Sequence, residues 1–330
     1  MTHLILTSDS GAGALRAAGL ADLVIGIGAR FVAGPLPSAQ ALAELLSPRA
    51  EGASGPHWLD HLRVSRLDQL GWQRAGLVDL CEWCETVELW VDPLPNAQLQ
   101  AIWLLDHLGS RIPGAVRLTL RQADAVIGDR APEELVAWRV PSIEIEDDQF
   151  RTAALAWQAY CEPTPQAWAQ LLGRDLAPLP QLRSTVLELL GELPRPRTGI
   201  GETETRLLQL VADGFVHPFD LFPGYEKPNR GRVFEYWETG ALLDGLAHSP
   251  APALTGLAEG PFTLEMHDDR DRLQRYKASC LSLTPLGEAI LAGEDDFSRH
   301  NPIHRWWGGT ELTNANLWRW DPVANVLIAP

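Results

Sequence analysis

His3-Leu4-Ile5-Leu6-Thr7-Ser8, then Asp9-Ser10-Gly11-Ala12-Gly13, then Ala14-Leu15-Arg16-Ala17-Ala18 is the stretch on which the rest of the reading turns. The first six residues are apolar enough to form a buried strand. The small polar run after them predicts a loop. The alanine-rich run predicts a short helix that Gly19 stops. Asp22-Leu23-Val24-Ile25-Gly26-Ile27 predicts the next strand. Further out, Gly34-Pro35-Leu36-Pro37 reads as a rigid loop, and Ser38 as the cap of a helix running through Leu46. Helical, amphipathic sequence fills much of 57–85. Strands are predicted over 87–91 and 115–120. Pro93 and Pro95 end the first of these, and Asn96 opens a helix through Leu108. Strands separated by helices close through right-handed crossovers into a mainly parallel sheet. Residues 1–148 are therefore expected to form a Rossmann-like α/β domain.

Residues 149–196 read as a helical segment and linker packed on that domain, strongest over 153–160 and 182–190. The stiff run Leu193-Pro194-Arg195-Pro196-Arg197-Thr198-Gly199 marks the expected boundary. Beyond it, Glu202 or Thr203 opens a helix carrying Leu207, Leu208, Leu210 and Val211, ended by Gly214. Helices follow over 218–222 and 232–247. Phe262-Thr263-Leu264-Glu265-Met266 and Cys280-Leu281-Ser282-Leu283 predict two antiparallel strands, with 267–277 as a charged hairpin between them. Thr284-Pro285-Leu286-Gly287 starts a last short helix. Residues 197–330 thus read as a winged-helix-like α+β domain with a Trp-rich C-terminal tail. In that tail Trp318 and Trp320 share one strand face, so Arg319 points the other way, within reach of a carboxylate. Asp321-Pro322 reads as a turn between two short strands.

The chain has 330 residues, 43 acids, 27 bases and a net charge of −16. That balance opposes broad contact with nucleic acid or anionic membranes. Residues 197–330 alone hold twelve bases against nineteen acids, and the candidate recognition helix Arg232-Val233-Phe234-Glu235-Tyr236-Trp237-Glu238-Thr239 has one base and two acids. DNA binding by a winged helix is accordingly disfavoured. Four cysteines exclude a disulfide scaffold. No window approaches the ~20 apolar residues of a membrane span, and the opening residues lack the basic start of a signal peptide. The expected setting is the cytoplasm of a bacterium. No P-loop, G-x-S-x-G or H-E-x-x-H is present.

Several short stretches, taken in order, resemble a known family. Asp9-Ser10-x-Ala12-Gly13-x-Leu15, Gly34-Pro35-Leu36-Pro37, Leu89-Trp90-Val91-Asp92 with Gln98-Leu99-Gln100, and Ala156-Trp157-Gln158-Ala159-Tyr160 resemble domain-of-unknown-function family 1835. Gly199-Ile200-x-Glu202-Thr203-Glu204, Leu283-Thr284-Pro285-Leu286-Gly287, Arg305-Trp306-Trp307-Gly308-Gly309 and Trp318-Arg319-Trp320-Asp321 resemble the extension often found with it. The resemblance implies kinship of fold and carries no catalytic roles. The chain departs from the family where Ser8 replaces a usual glycine and where Asp92-Pro93-Leu94-Pro95 replaces an acidic, His-containing run.

Three constellations are candidates for chemistry. Ser8, Asp9, Ser10, Gly11 and Gly13 lie between a strand end and a helix start, where backbone N–H groups favour an anion. Open α/β sheets also bind their ligands at that edge. The structural alternative is that Asp9 or Ser10 caps the helix and the glycines permit close packing. Asp92, at the end of a neighbouring strand, can join Asp9 to hold Mg²⁺ or share a proton, or can simply begin the Asp-Pro turn. Cys81, Cys84, His57 and His61 have the residue types of a tetrahedral zinc site. Their alternative is two half-buried cysteines and two surface histidines. The preferred reading is a regulatory or interaction module, not an enzyme. It binds a small phosphate-bearing or nucleotide-like anion at the Ser8–Gly13 run and a protein partner through its second half. The competing reading is a metal-assisted enzyme using Asp9 and Asp92 on a phosphorylated or nucleotide-like substrate. No cofactor is specified by the sequence.

Overall fold

Every residue from Leu4 to Ser8 is buried in the strand His3–Ser8 (β1), with none of the alternation of a sheet that wets one face. Leu23–Ile27 (β2) is buried throughout as well. Such strands need cover on both faces, and helices supply it. The computed structural model describes residues 2–50, 57–61, 75–109, 111–112, 116–224, 227–229 and 232–330. It divides into two units. Unit 1 comprises 1–31, 36–161 and 171–185; unit 2 comprises 32–35, 162–170 and 186–330.

In unit 1, β1 and β2 are joined through Asp9–Ala18 (α1), and Ala39–Leu46 (α2) follows, capped by Ser38, whose Oγ accepts from the Ala41 N–H at 3.2 Å. Leu77–Trp83 (α3) leads to Thr86–Val91 (β3), then Pro95–Gly109 (α4), Arg117–Gln122 (β4), Pro132–Ala137 (α5), Ile143–Glu144 (β5) and Asp147–Cys161 (α6). The sheet order is β2-β1-β3-β4-β5. The first four strands are parallel, and β5 runs antiparallel to β4. This is the mainly parallel α/β sheet that the sequence predicts, with an extra edge strand too short to announce itself. Ala115, the predicted start of β4, and residues 62–74 of the predicted helical stretch lie outside the described residues.

Two details of unit 1 differ from expectation. The helix over 9–18 begins at Asp9 and absorbs the predicted loop. Gly26 allows this: a Cβ there would come within 2.9 Å of the Ala12 Cβ and 3.2 Å of the Asp9 Cα, so α1 lies close on β2. The helix after β3 starts at Pro95 because proline suits a first helical turn. Asn96 is therefore inside it and does not cap it. Its side chain accepts from the Phe31 N–H at 2.9 Å and donates to the Ala29 carbonyl at 3.1 Å.

Unit 2 takes part of the predicted helical segment. Gln166–Gln170 (α7) belongs to it, and Leu182–Gly191 (α8) is divided at 185/186. The division between units follows packing, not the proline-rich linker. Glu202–Ala212 (α9), Pro218–Leu221 (α10) and Tyr236–His248 (α11) build a core with Leu207, Leu208, Leu243 and Leu246, all fully or almost fully buried. Leu254–Thr255 (β6) pairs antiparallel with Ser282–Leu283 (β7). The predicted strand over 262–266 is not formed. Leu264–Asp268 (α12) and Arg270–Ala278 (α13) occupy the place of the charged hairpin. Local capping explains the correction. The Thr263 Oγ accepts from the Met266 N–H at 3.3 Å, and the Asp269 carboxylate accepts from the N–H groups of Asp271 and Arg272 at 3.1 Å. Met266 and Tyr276 then fill the core.

Pro285–Leu291 (α14) starts at Thr284, whose Oγ accepts from the Gly287 N–H, and Phe297–His300 (α15) follows. His304–Trp307 (β8) pairs with Thr310–Thr313 (β9), and Arg319–Asp321 (β10) pairs with Val326–Ile328 (β11) around the predicted turn. Trp318 and Trp320 are buried, and Arg319 reaches the Asp296 carboxylate at 2.8 Å. Among the described residues no helix is long and apolar enough to cross a membrane.

Candidate functional site at the carboxyl edge of the sheet

In the strand order 2-1-3-4-5, chain connections leave β1 in one direction and β3 in the other. The crevice between their carboxyl ends is the topological switch point, where open α/β sheets take ligands. Ser8 ends β1 there, and Asp92 directly follows β3. The structure brings these two residues together. The Ser8 hydroxyl donates to Asp92 Oδ2 at 2.7 Å, and the Ile127 N–H donates to Oδ1 at 2.6 Å. Asp92 is fully buried, and burial raises its carboxyl above the ordinary aspartate range against the pull of these hydrogen bonds.

Ser8 stands at the N-cap of α1, yet its side chain makes no capping bond because its hydroxyl is engaged by Asp92. Its Oγ lies 3.1 Å from that of Ser10. Asp9 and Ser10 are exposed on the first turn of α1, whereas Gly11 is buried and Gly13 exposed. The short helical turn Ile127–Asp129 closes one side of the crevice. Gly128 allows its approach, since a Cβ there would lie 2.8 Å from the Ser10 carbonyl oxygen. Asp9 and Asp92 are thus unlike in setting: one carboxylate is at the surface, the other sealed and doubly hydrogen-bonded.

A network of amides built on Gln98 and Gln100 lies beside Asp92 and extends to Gln122 and Gln181. Gln98 Nε2 donates to the Asp92 carbonyl at 2.7 Å and to Gln181 Oε1 at 2.8 Å. Gln122 Nε2 donates to Gln98 Oε1 at 2.7 Å, and Gln181 Nε2 to the Ala123 carbonyl at 2.7 Å. Gln100 holds the carbonyls of Ile27 and Ala29. These amides fix the loops leaving β2, β3 and β4. Their signal in the sequence is two glutamines among apolar neighbours in the fully buried first part of a helix.

The zinc candidates are not assembled among the described residues, where no group of three or more His, Cys, Asp or Glu side chains could hold a metal ion. Both ring nitrogens of His57 are engaged, Nε2 by the Ser47 carbonyl at 2.7 Å and Nδ1 by the Leu59 N–H at 3.2 Å. Cys81 and Cys84 are buried in and at the end of α3. Desolvation pushes their thiols up to about 12 and about 11, away from the thiolate a metal needs. The side chain of His61 lies outside the described residues.

No protein-family model matches the chain, and no curated protein is significantly similar to it.

Proposed function

We propose that the chain is a ligand-responsive regulatory module. In this reading unit 1 receives a small phosphate-bearing or nucleotide-like anion over the first turn of α1, and the winged-helix-like second half docks a protein partner. One observation carries it: the N-cap serine of α1 is drawn away to Asp92, which leaves the first turn of a switch-point helix without a side-chain cap. The same bond favours binding over catalysis. Asp92 is committed to Ser8 and Ile127 and serves as a rigid rim, so it is poorly placed to be a free base or metal ligand. A DNA-binding role for unit 2 is weakened further by Arg232, whose guanidinium is paired with Glu188 at 2.8 Å.

Thermal unfolding in the presence of AMP, ATP and ribose 5-phosphate, with and without Mg²⁺, tests the reading. A bound anion at 100 times its Kd adds about 2.7 kcal/mol, a rise of several degrees in midpoint. Ser10→Glu, which places a negative charge on the exposed first turn, is expected to abolish that rise. If no anion shifts the midpoint, the small-molecule reading is lost. A rise that needs Mg²⁺ and disappears in Asp9→Asn replaces it with the metal-assisted enzyme.

A further inference from the structure

Unit 2 contains a cavity of about 580 Å³, within the range of sites that hold small organic ligands. Its walls are mostly apolar, with Val32, Pro35, Val233, Phe234, Leu242 and Trp306 among them. The charged groups that line it are Glu192, Glu204, Glu238, His304 and Arg305. Two of the sequence stretches singled out above meet in its wall. Glu204 Oε2 accepts from Arg305 Nη1 at 2.8 Å and also from the Gly201 N–H at 2.8 Å. The neighbouring Glu192 accepts from the Thr203 hydroxyl at 2.6 Å and from its N–H at 3.2 Å.

Both carboxylates of this cluster are therefore hydrogen-bonded, whereas part of the Arg305 guanidinium is not. Arg305 Nε and Nη2 are buried without a hydrogen-bond partner among the described residues. In a guanidinium these two N–H groups form the side-on fork that matches a carboxylate. Among the described residues the same edge is used elsewhere to hold carboxylates. Arg121 Nε and Nη2 hold Glu88 at 2.9 and 3.1 Å, and Arg232 Nε and Nη2 hold Glu188 at 2.8 and 2.9 Å. At Arg305 the same edge meets no carboxylate among the described residues.

We propose that the unit 2 cavity binds a small amphipathic carboxylate, its two oxygens on the Nε–Nη2 edge of Arg305 and its apolar body among Val233, Phe234, Leu242 and Trp306. A monoanion is favoured over a phosphate because Glu204 and Glu238 already bring negative charge to the cavity, and a dianion meets about twice the repulsion. The two nitrogens are screened from water. Entry therefore requires a lining side chain to turn aside, so the fit is induced.

Gly245 provides a clean probe. It lines the cavity from α11, and a Cβ built on it meets nothing within 4 Å. Gly245→Leu thus fills the cavity without disturbing the core, and leucine is the better helix former. The experiment is calorimetric titration of the full chain with phenylacetate and octanoate, their amides phenylacetamide and octanamide, and phenyl phosphate. The expected result is binding of at least one carboxylate with Kd below about 1 mM, at least tenfold tighter than its amide and than phenyl phosphate. Arg305→Lys keeps the charge facing Glu204 but loses the fork, and is expected to weaken binding about tenfold or more. Gly245→Leu is expected to abolish it with no fall in the thermal midpoint. The proposal is overturned if neither carboxylate binds, if amides or phenyl phosphate bind as well, or if either substitution leaves affinity unchanged. All outcomes are independent of nucleotide effects at α1, so this site and the sheet-edge site stand or fall separately.

Discussion

Glu192 shows at the scale of one residue what the sequence conceals. It sits in a leucine-rich run and reads as the polar face of a helix end. In the structure it is buried, and burial raises its carboxyl to about 7; the bonds from Thr203 and the facing Arg305 lower it, while the facing Glu204 raises it. A carboxyl with a folded pKa above its unfolded value holds its proton longer in the native state. Stability from this group therefore falls as pH rises from about 4.5 to about 7, and the loss is complete above that. At 1.36 kcal/mol per pKa unit the loss is about 3 kcal/mol. Urea unfolding of wild type and Glu192→Gln at pH 5 and pH 8 checks it. The variant is expected to gain on wild type by up to that amount between the two, and a difference independent of pH contradicts it. The partners of Ser8 and Asp92 were equally illegible. Their residue types and sheet edge could be read from sequence, but a bond across 84 positions depends on strand order, which no local pattern contains.

Elements were most legible where burial is extreme and least where capping decides. The strands β1 and β2 announce themselves because runs such as Leu4-Ile5-Leu6 have no polar position to offer solvent, whereas β4 reads from the alternation of Leu118 and Leu120 with polar residues. The Ser38 and Thr284 caps were readable for the same local reason. The stretch 262–278 was not. Its apolar residues Phe262, Leu264 and Met266 alternate like a strand, yet Thr263 and Asp269 start two short helices. Alternation over five residues cannot compete with two side-chain caps and a buried Met266 and Tyr276. Asp269→Ala removes the cap of α13 and is expected to cost about 1 kcal/mol in urea unfolding. A charged hairpin at the same place would lose almost nothing. The mixed α/β architecture could thus be read apart from β5, whereas of the two expected wing strands only 282–283 is a strand, and it pairs with Leu254–Thr255.

At the scale of the whole molecule, the units are not the halves that the proline-rich run suggests. Residues 1–185 contain every segment of unit 1, but 186–330 lack two strips of unit 2, 32–35 and 162–170. The second strip carries Trp168, fully buried, with its indole N–H on the Val186 carbonyl at 3.3 Å and its ring edge-on to Trp307 at 6.3 Å. Losing a buried tryptophan costs about 3–5 kcal/mol, a large share of a domain's stability. Produced alone, 186–330 is expected to show no cooperative unfolding transition, whereas 1–185 melts cooperatively. A sharp transition for 186–330 would show that the strip is dispensable. Composition gave no warning of this, because Trp168 lies in a helical stretch that looks continuous with its neighbours.

The threading of Trp168 also sets the order of events at the ribosome. A polypeptide emerges from its amino end, so the tryptophan and the 32–35 strip are made long before the residues they pack with. Until the last third of the chain appears, that indole has the Val186 carbonyl to bond but lacks the ring of Trp307 beside it. The second body can mature only by reaching back to pieces laid down earlier.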